Sequence, residues 1–297
     1  MCKTVGKLRR LPDIECLFPK TVEEALSMLE KHNGSSRVIA GGTDVLIKLK
    51  RRNISAKYII DLKGIGGLNF IENDGMGLRI GAVTVLSDIL DSPIVCESYP
   101  ILTDALSVLA SPQIRNTASM VGNLCNAVPS ADSAPPLVAL QAKLMLQNGK
   151  KQRTVAVEDF FTGPGQTVLA PGELVTEIVI PTPGAPGGGA YLKQQLRAEM
   201  DLAVVGVGVY LTLDSSKTVC KEARIVLGAV APVPMRAKKA EYVLRGETLD
   251  NDLIESAAQI ASEESQPIDD IRSSAEYRKH IVGVLTKRAI HKCLDRA

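Results

Sequence analysis

The strongest constraint on how this chain folds is a ten-residue run, PTPGAPGGGA at 181–190, which holds three prolines and four glycines. Proline has no backbone N–H and glycine loses the most freedom on ordering, so neither a helix nor a regular central strand runs easily through such a stretch. The texture of the 297-residue chain changes after Ile180, and its length leaves room for two domains or one large one. The run itself reads as a domain linker or as a mobile loop near a site.

The two parts have different textures. In the first, strands and helices are interspersed. TVEEALSMLEKH (21–32) opens with Thr21 and Glu24 in capping-box spacing and continues with an apolar stripe at helical period. Val38–Ala40, Tyr58–Leu62 and Leu78–Val83 read as short strands. Ser92-Pro93 and Tyr99-Pro100 place proline where a helix can begin, and Asn148-Gly149 marks a hairpin. In the second part YLKQQLR, AVVGVGVYLTL and ARIVLGAV read as a meander of three strands, followed by helical patterns over Asn251–Glu264 and Ser274–Leu294. This grammar is α+β. A doubly wound sheet would alternate more evenly, and Gly206-Val-Gly208 lies in a strand run with no helix after it, which removes the Rossmann reading.

Charge excludes other classes. Lys+Arg 35 against Asp+Glu 33 leaves no basic excess for a phosphate backbone, and 3% aromatics without Trp provide no base-stacking platform, so no nucleic-acid partner is expected. No apolar run is long enough to cross a membrane. The N-terminus, MCKTVGKLRRLPD, lacks the apolar stretch of a secretory signal. The expected location is cytoplasmic. Six scattered cysteines and three dispersed histidines carry no metal-ligand spacing, so no metal site is expected.

Two loops carry candidate chemistry. The first is IAGGTDVL: Ile39, Ala40, Gly41, Gly42, Thr43, Asp44, Val45 and Leu46. A strand entering Gly-Gly-Thr can present successive N–H groups and a hydroxyl to a diphosphate, although the same string also serves as a plain tight turn. The second is NTASMVGNLCNAVPSADSAP at 116–135, polar and small between apolar flanks. Thr117, Ser119, Gly122, Asn123 and Asn126 offer donors and Asp132 an acceptor for ribose hydroxyls; alternatively Ser130 and Asp132 cap the helix starting near Pro135. Glu173 and Glu177 read as surface carboxylates, and Lys193 as a solvated lysine or an anion partner.

Together these loops resemble the two signature loops of the FAD-binding subunit of the molybdenum hydroxylases, the family of xanthine dehydrogenase, carbon monoxide dehydrogenase and their aldehyde and N-heterocycle relatives. FFTGPGQTVLAPGELVTEIVIP and YLKQQLRAEMDLAVVGVGV resemble the family's next two blocks, so the likeness runs from about residue 14 to 294. It implies a PCMH-type (vanillyl-alcohol-oxidase-like) FAD-binding fold over 1–182, in subdomains of about 1–60 and 61–182, and a C-terminal domain over 190–297 with a three-stranded antiparallel sheet and helices. By this resemblance the 39–46 loop cradles the FAD diphosphate, with Thr117, Ser119, Gly122 and Asn123 continuing the cradle. Asp132 matches a carboxylate at the adenosine ribose, Leu174 or Val175 lies beside the adenine or flavin, Lys193 matches a lysine near the flavin, and Tyr191 neighbours the isoalloxazine.

The resemblance further implies an electron-transfer flavoprotein subunit with no catalytic acid–base group of its own. Its partners would be a molybdenum-cofactor large subunit and a [2Fe-2S] small subunit, with NAD or another species as acceptor and a dimer of heterotrimers as the assembly. Rival readings are a self-contained FAD oxidoreductase, resembling the cell-wall precursor reductases, and a binding scaffold that has lost FAD. One departure bears on the last: the family commonly has Gly-Gly-Asn where this chain has Val121-Gly122-Asn123. If that first glycine requires positive φ, Val121 is strained. The cysteine-bearing insertion of the hydroxybenzoyl-CoA reductase branch is missing, so no additional cluster is expected on this chain.

Overall fold

The computed structural model describes residues 10–75, 77–184, 186–197 and 200–297. Most of the N-terminal segment on which the location was read lies outside them, as do Ala185 of the Pro/Gly run and Ala198-Glu199 of the fourth family-like block.

The chain begins with a small parallel sheet. β1 (Glu15–Leu17), α1 (Val22–Lys31), β2 (Ser36–Ile39), α2 (Val45–Lys50) and β3 (Tyr58–Asp61) alternate, and β3 pairs in parallel with both β1 and β2. α1 starts where its cap dictates: Thr21 Oγ accepts the Glu24 N–H at 3.1 Å, while the Glu24 carboxylate accepts the Lys20 N–H at 2.7 Å. The second bond falls one residue before the usual capping-box position. β2 stops at Ile39, one residue short of the expected strand end, so Ala40 already belongs to the turn that leads into α2.

An antiparallel layer follows. β4 (Ile71–Asn73) and β5 (Gly77–Gly81) precede a run of short helices: α3 (Leu86–Leu90), α4 (Pro93–Ser98), α5 (Pro100–Ser107), α6 (Pro112–Arg115), α7 (Met120–Asn126) and α8 (Ala134–Ala139). α4, α5 and α6 each start on a proline, whose missing N–H removes a donor that would have had no helical partner. Next come the hairpin of β6 (Lys143–Asn148) and β7 (Lys151–Ala156), then α9 (Val157–Phe160), β8 (Phe161–Gly163), β9 (Gln166–Thr167) and β10 (Leu174–Pro181). The hairpin turns at Asn148-Gly149 as expected, with Gly149 at φ +57°. β10 threads the middle of the five-stranded sheet, in the order β4-β5-β10-β6-β7, and so carries Leu174 and Val175 into the interior.

The third part is the expected meander, with one short strand added. β11 (Gly187–Gln194), β12 (Val205–Leu213) and β13 (Cys220–Gly228) are antiparallel, and β14 (Met235–Arg236) pairs at the β13 edge. α10 (Lys238–Leu244), α11 (Asn251–Glu264) and α12 (Ala275–Leu294, capped by Ser274) complete it, with a second core built from Val207, Leu211, Ile225, Ile254 and Ile290 among others.

The Pro/Gly run is corrected here, because from Gly187 onward it is neither linker nor mobile loop. Gly187, Gly188 and Gly189 are strand residues of β11. A Cβ on Gly188 would stop 2.0 Å from the Cys293 carbonyl oxygen, and one on Gly189 would stop 2.8 Å from the Tyr210 ring and 3.1 Å from Ile101. Glycine is needed because α12 crosses this strand at backbone contact, while Ile101 of α5 approaches at Gly189. The same logic ties the C-terminal sheet to the rest. Gly208 and Gly228 face Pro135 of α8, with would-be Cβ distances of 3.0 and 2.9 Å. Asp104 of α5 accepts from Lys292 and Arg296 at the end of α12 and from the Tyr191 N–H.

Candidate functional site

The Gly-Gly turn leaves the parallel sheet at the C-terminal end of β2, and it meets the second polar loop there. A Cβ on Gly41 would lie 2.0 Å from the Thr117 carbonyl oxygen and 2.8 Å from the Ala118 Cα. Only glycine permits that approach. Gly42 follows at φ +70°, the left-handed conformation that reverses the chain, and Leu46 packs beneath it. Among the described residues, the N–H groups of Gly41, Gly42, Thr43 and Asp44 have no hydrogen-bond partner. Gly41, Gly42 and Thr43 are half-buried, where N–H groups without partners are uncommon, and Asp44 is exposed. Four in succession on a glycine-bearing turn are donors available to an anion.

The second loop is fixed from both sides. The Leu86 N–H donates to the Ala118 carbonyl at 2.9 Å, and Ser119 caps α7, its Oγ accepting the Gly122 N–H at 3.1 Å. Val121 is therefore helical and buried, and it is absent from the positive-φ residues. The strain that a Gly-Gly-Asn loop would impose on it does not arise. Ser133 occupies the cap position of α8 without a side-chain cap bond, and its hydroxyl instead donates to Asn123 Oδ1 at 2.6 Å. So Ser130 and Asp132 do not cap that helix. At the far end of α7, Asn126 Oδ1 accepts from Lys48 Nζ of α2 at 2.5 Å.

Between these loops and β10 lies a cavity of about 620 Å³. Of the expected site residues, Ile39, Ala40, Gly41, Gly42, Thr43, Asp44, Val45, Ser119, Gly122, Asn123, Asn126, Asp132, Leu174 and Val175 line it. Leu46, Thr117, Tyr191 and Lys193 do not. Leu46 supports the turn, and Thr117 contributes its carbonyl as the surface against which Gly41 packs.

Tyr191 and Lys193 stand behind the wall, joined to Asp132. The Tyr191 hydroxyl donates to Asp132 Oδ1 at 2.7 Å, and Lys193 Nζ donates to Oδ2 at 2.9 Å. Lys193 also donates to the carbonyls of Val108 and Asp201, and its side chain is only 2% exposed, so it is not the solvated lysine of the sequence reading. Three acceptors around one ammonium are what a buried charge requires. Burial pushes the Asp132 carboxyl above its ordinary value, partly countered by the Lys193 charge and the Tyr191 hydroxyl; burial and then Asp132 push Tyr191 well above a normal phenol. Alternate residues of β11 point to one side, which is why Tyr191 and Lys193 reach the same carboxylate.

Sequence reasoning missed several wall residues. Glu173 is not a surface carboxylate: its side chain is 6% exposed, it lines the cavity, and two bonds from Arg153 hold its carboxyl below the usual range. Lys48 and Arg37 also face the cavity. The period of α2 could have found Lys48, since it lies one turn after Asp44 and so shares its face. Arg153 and Glu173 are twenty residues apart, and no local pattern joins them.

Comparison with known proteins bears directly on this cavity. The family model described as the FAD binding domain in molybdopterin dehydrogenase matches residues 12–183, and that of the CO dehydrogenase flavoprotein C-terminal domain matches 190–293. The xanthine dehydrogenase FAD-binding subunit of Escherichia coli O157:H7 is 32% identical over 280 residues, covering 93% of this chain and 94% of that one. The carbon monoxide dehydrogenase medium chain of Afipia carboxidovorans is 33% identical over 280 residues, covering 94% and 96%. Among solved structures, carbon monoxide dehydrogenase from Hydrogenophaga pseudoflava superposes with a TM-score of 0.92 at 31% identity, covering 96% of this chain and 99% of that one.

The residues present fit the dinucleotide that these matches name. A row of unpartnered N–H groups behind a glycine that admits no Cβ suits the diphosphate, and apolar Ile39, Leu174 and Val175 on the cavity wall suit flat rings. On matches that span nearly its whole length, this chain belongs to the FAD-binding medium subunits of the xanthine dehydrogenase and carbon monoxide dehydrogenase family of oxidoreductases.

Proposed function

We propose that this chain is the electron-transfer subunit of a molybdenum hydroxylase, taking electrons from the [2Fe-2S] clusters of a partner small subunit and passing them to NAD or another acceptor. A molybdenum-cofactor large subunit would oxidise the substrate, and the complex would assemble as a dimer of heterotrimers in the cytoplasm. Residues 1–182 would bind FAD, and residues 190–297 would buttress that site through Tyr191 and Lys193.

The observation that carries this reading is the convergence of the Gly41-Gly42-Thr43 turn and the Thr117–Asn123 loop at one cavity, lined by the four residues whose N–H groups have no partner. FAD, when bound, supplies the capacity to take up electrons singly and release them in pairs. The chain's own residues bind and orient it. Gly41 to Asp44 hold the diphosphate, Ser119 keeps α7 in place behind the second loop, and Leu174 and Val175 exclude water from one side. Asp132 presents a carboxylate that Tyr191 and Lys193 fix from behind.

Co-expression with the two partner subunits tests the reading. The purified complex should carry FAD and have its flavin absorbance bleached by substrate only when the cluster-bearing subunit is present. Turnover of a substrate by this chain and FAD alone would establish the self-contained oxidoreductase instead.

A further inference from the structure

The ionic side chains on the cavity wall are Arg37, Asp44, Lys48, Asp132, Glu173 and Asp201. Three of the carboxylates are already satisfied. Asp132 is paired with Lys193 and Glu173 with Arg153, and the Asp201 carboxylate accepts the N–H groups of Leu196, Arg197 and Leu202. Arg37 donates to the carbonyl of its neighbour Ser36, and Asp44 is exposed.

Lys48, like Arg37, has no carboxylate partner among the described residues, but of the two cations it is Lys48 that bonds across to the second loop. It is half-buried, and its ammonium is fixed by the Asn126 side-chain oxygen, an acceptor that orients the charge without neutralising it. An ammonium has three donors, and this bond uses one. Its position is also specific: Lys48 lies one helical turn beyond Asp44, the last of the four unpartnered N–H groups, while Asn126 ends α7, the helix within the second loop. The Lys48–Asn126 bond therefore spans the two halves of the cavity wall.

We infer that Lys48 is the counter-charge for the dinucleotide diphosphate, and that Asn126 is the positioning residue that holds its ammonium on the cavity. This rests on the FAD-binding reading above and adds the cation that backbone donors alone do not provide. An uncompensated charge facing a partly desolvated anion acts more strongly than a solvated one and is screened by salt.

The test is FAD titration of the full-length apo-chain, followed by flavin fluorescence at low and high ionic strength. Lys48→Met should weaken binding roughly tenfold at low salt and flatten its salt dependence, and Lys48→Arg should restore both. Asn126→Asp keeps the lysine but sets a carboxylate against it, so it should weaken FAD to a similar degree. Thermal melts of each apo-variant report folding separately. Binding by Lys48→Met and Asn126→Asp within twofold of the parent, with unchanged salt dependence, would overturn the inference and leave the FAD reading standing. Failure of the parent chain to bind FAD would remove the FAD reading, and this inference with it.

Discussion

Gly41 packs so tightly against the Thr117 carbonyl that a single added carbon would stop 2.0 Å from its oxygen. This contact joins the parallel sheet's turn to the second polar loop, and it makes the cavity a product of both. Gly41→Ala should cost about 1–3 kcal/mol in stability by overpacking. It should cost more in FAD affinity, because relieving the clash moves the row of N–H donors. Gly42→Ala tests a different property: at φ +70° with the Leu46 side chain 3.2 Å away, it should cost about 1 kcal/mol through backbone strain. Flavin retained after gel filtration, measured beside a denaturant melt, separates the two effects.

The buried set of Asp132, Tyr191 and Lys193 makes a second prediction. Removing one partner leaves the other charge buried without compensation, so Asp132→Asn should destabilise the chain by about 3–5 kcal/mol. Lys193→Met should cost a similar amount. The double variant should recover a good part of the loss, because two neutral groups replace a stranded charge. Urea melts of the two singles and the double form a cycle whose coupling energy should be large and favourable. Additive costs would show that the pair is electrostatically idle.

Those two contacts differ in how far the sequence discloses them. Elements whose signals lie within a few residues were legible: the Thr21 cap, the proline-started helices α4 and α5, the Asn148-Gly149 hairpin, and α11 over Asn251–Glu264. The two loops were legible as polar glycine-bearing strings between apolar flanks. What stayed hidden is long-range. Tyr191 and Lys193 reach Asp132 across some sixty residues of chain, and nothing local in YLK distinguishes a buried lysine from a solvated one. Gly187 to Gly189 read as a flexible run because their reasons lie far off in the chain: Gly188 meets the α12 backbone at Cys293, about a hundred residues later, Gly189 meets Ile101 and Tyr210, and Gly187 meets the Leu211 carbonyl. Glycine composition alone does not separate a hinge from a close contact.

Asp104 supplies a prediction in pH. Burial would raise its carboxyl, but bonds from Arg296, Lys292 and the Tyr191 N–H overcome that and hold it below the ordinary 3.8. A carboxyl depressed in the folded state stabilises the fold above its unfolded value, and that contribution is lost as pH falls through the folded one. Asp104→Asn should therefore cost about 2 kcal/mol at neutral pH. The gap between variant and parent should hold down to the ordinary carboxylate range, narrow as pH falls through 3.8, and close at a still lower pH where the folded carboxyl protonates. Denaturation series at successive pH values check this, and a gap independent of pH would contradict it. Because Asp104 anchors α12 to α5 and β11, the loss should also loosen the C-terminal helix in hydrogen exchange.

Val121 gives the last prediction, which concerns the place where the chain departs from its family. The residue is 6% exposed within α7 and shows no positive φ, so its side chain belongs to the core rather than to a strained loop. Restoring the family's glycine removes that burial and adds a flexible residue to a short helix. Val121→Gly should then cost about 2–3 kcal/mol and bring no gain in FAD affinity. If instead the variant bound FAD more tightly at unchanged stability, the loop would be working against its own side chain, and helical backbone at Val121 would not be the conformation that binds the dinucleotide. Paired measurement of the apo-chain's melting midpoint and its FAD dissociation constant distinguishes the two outcomes.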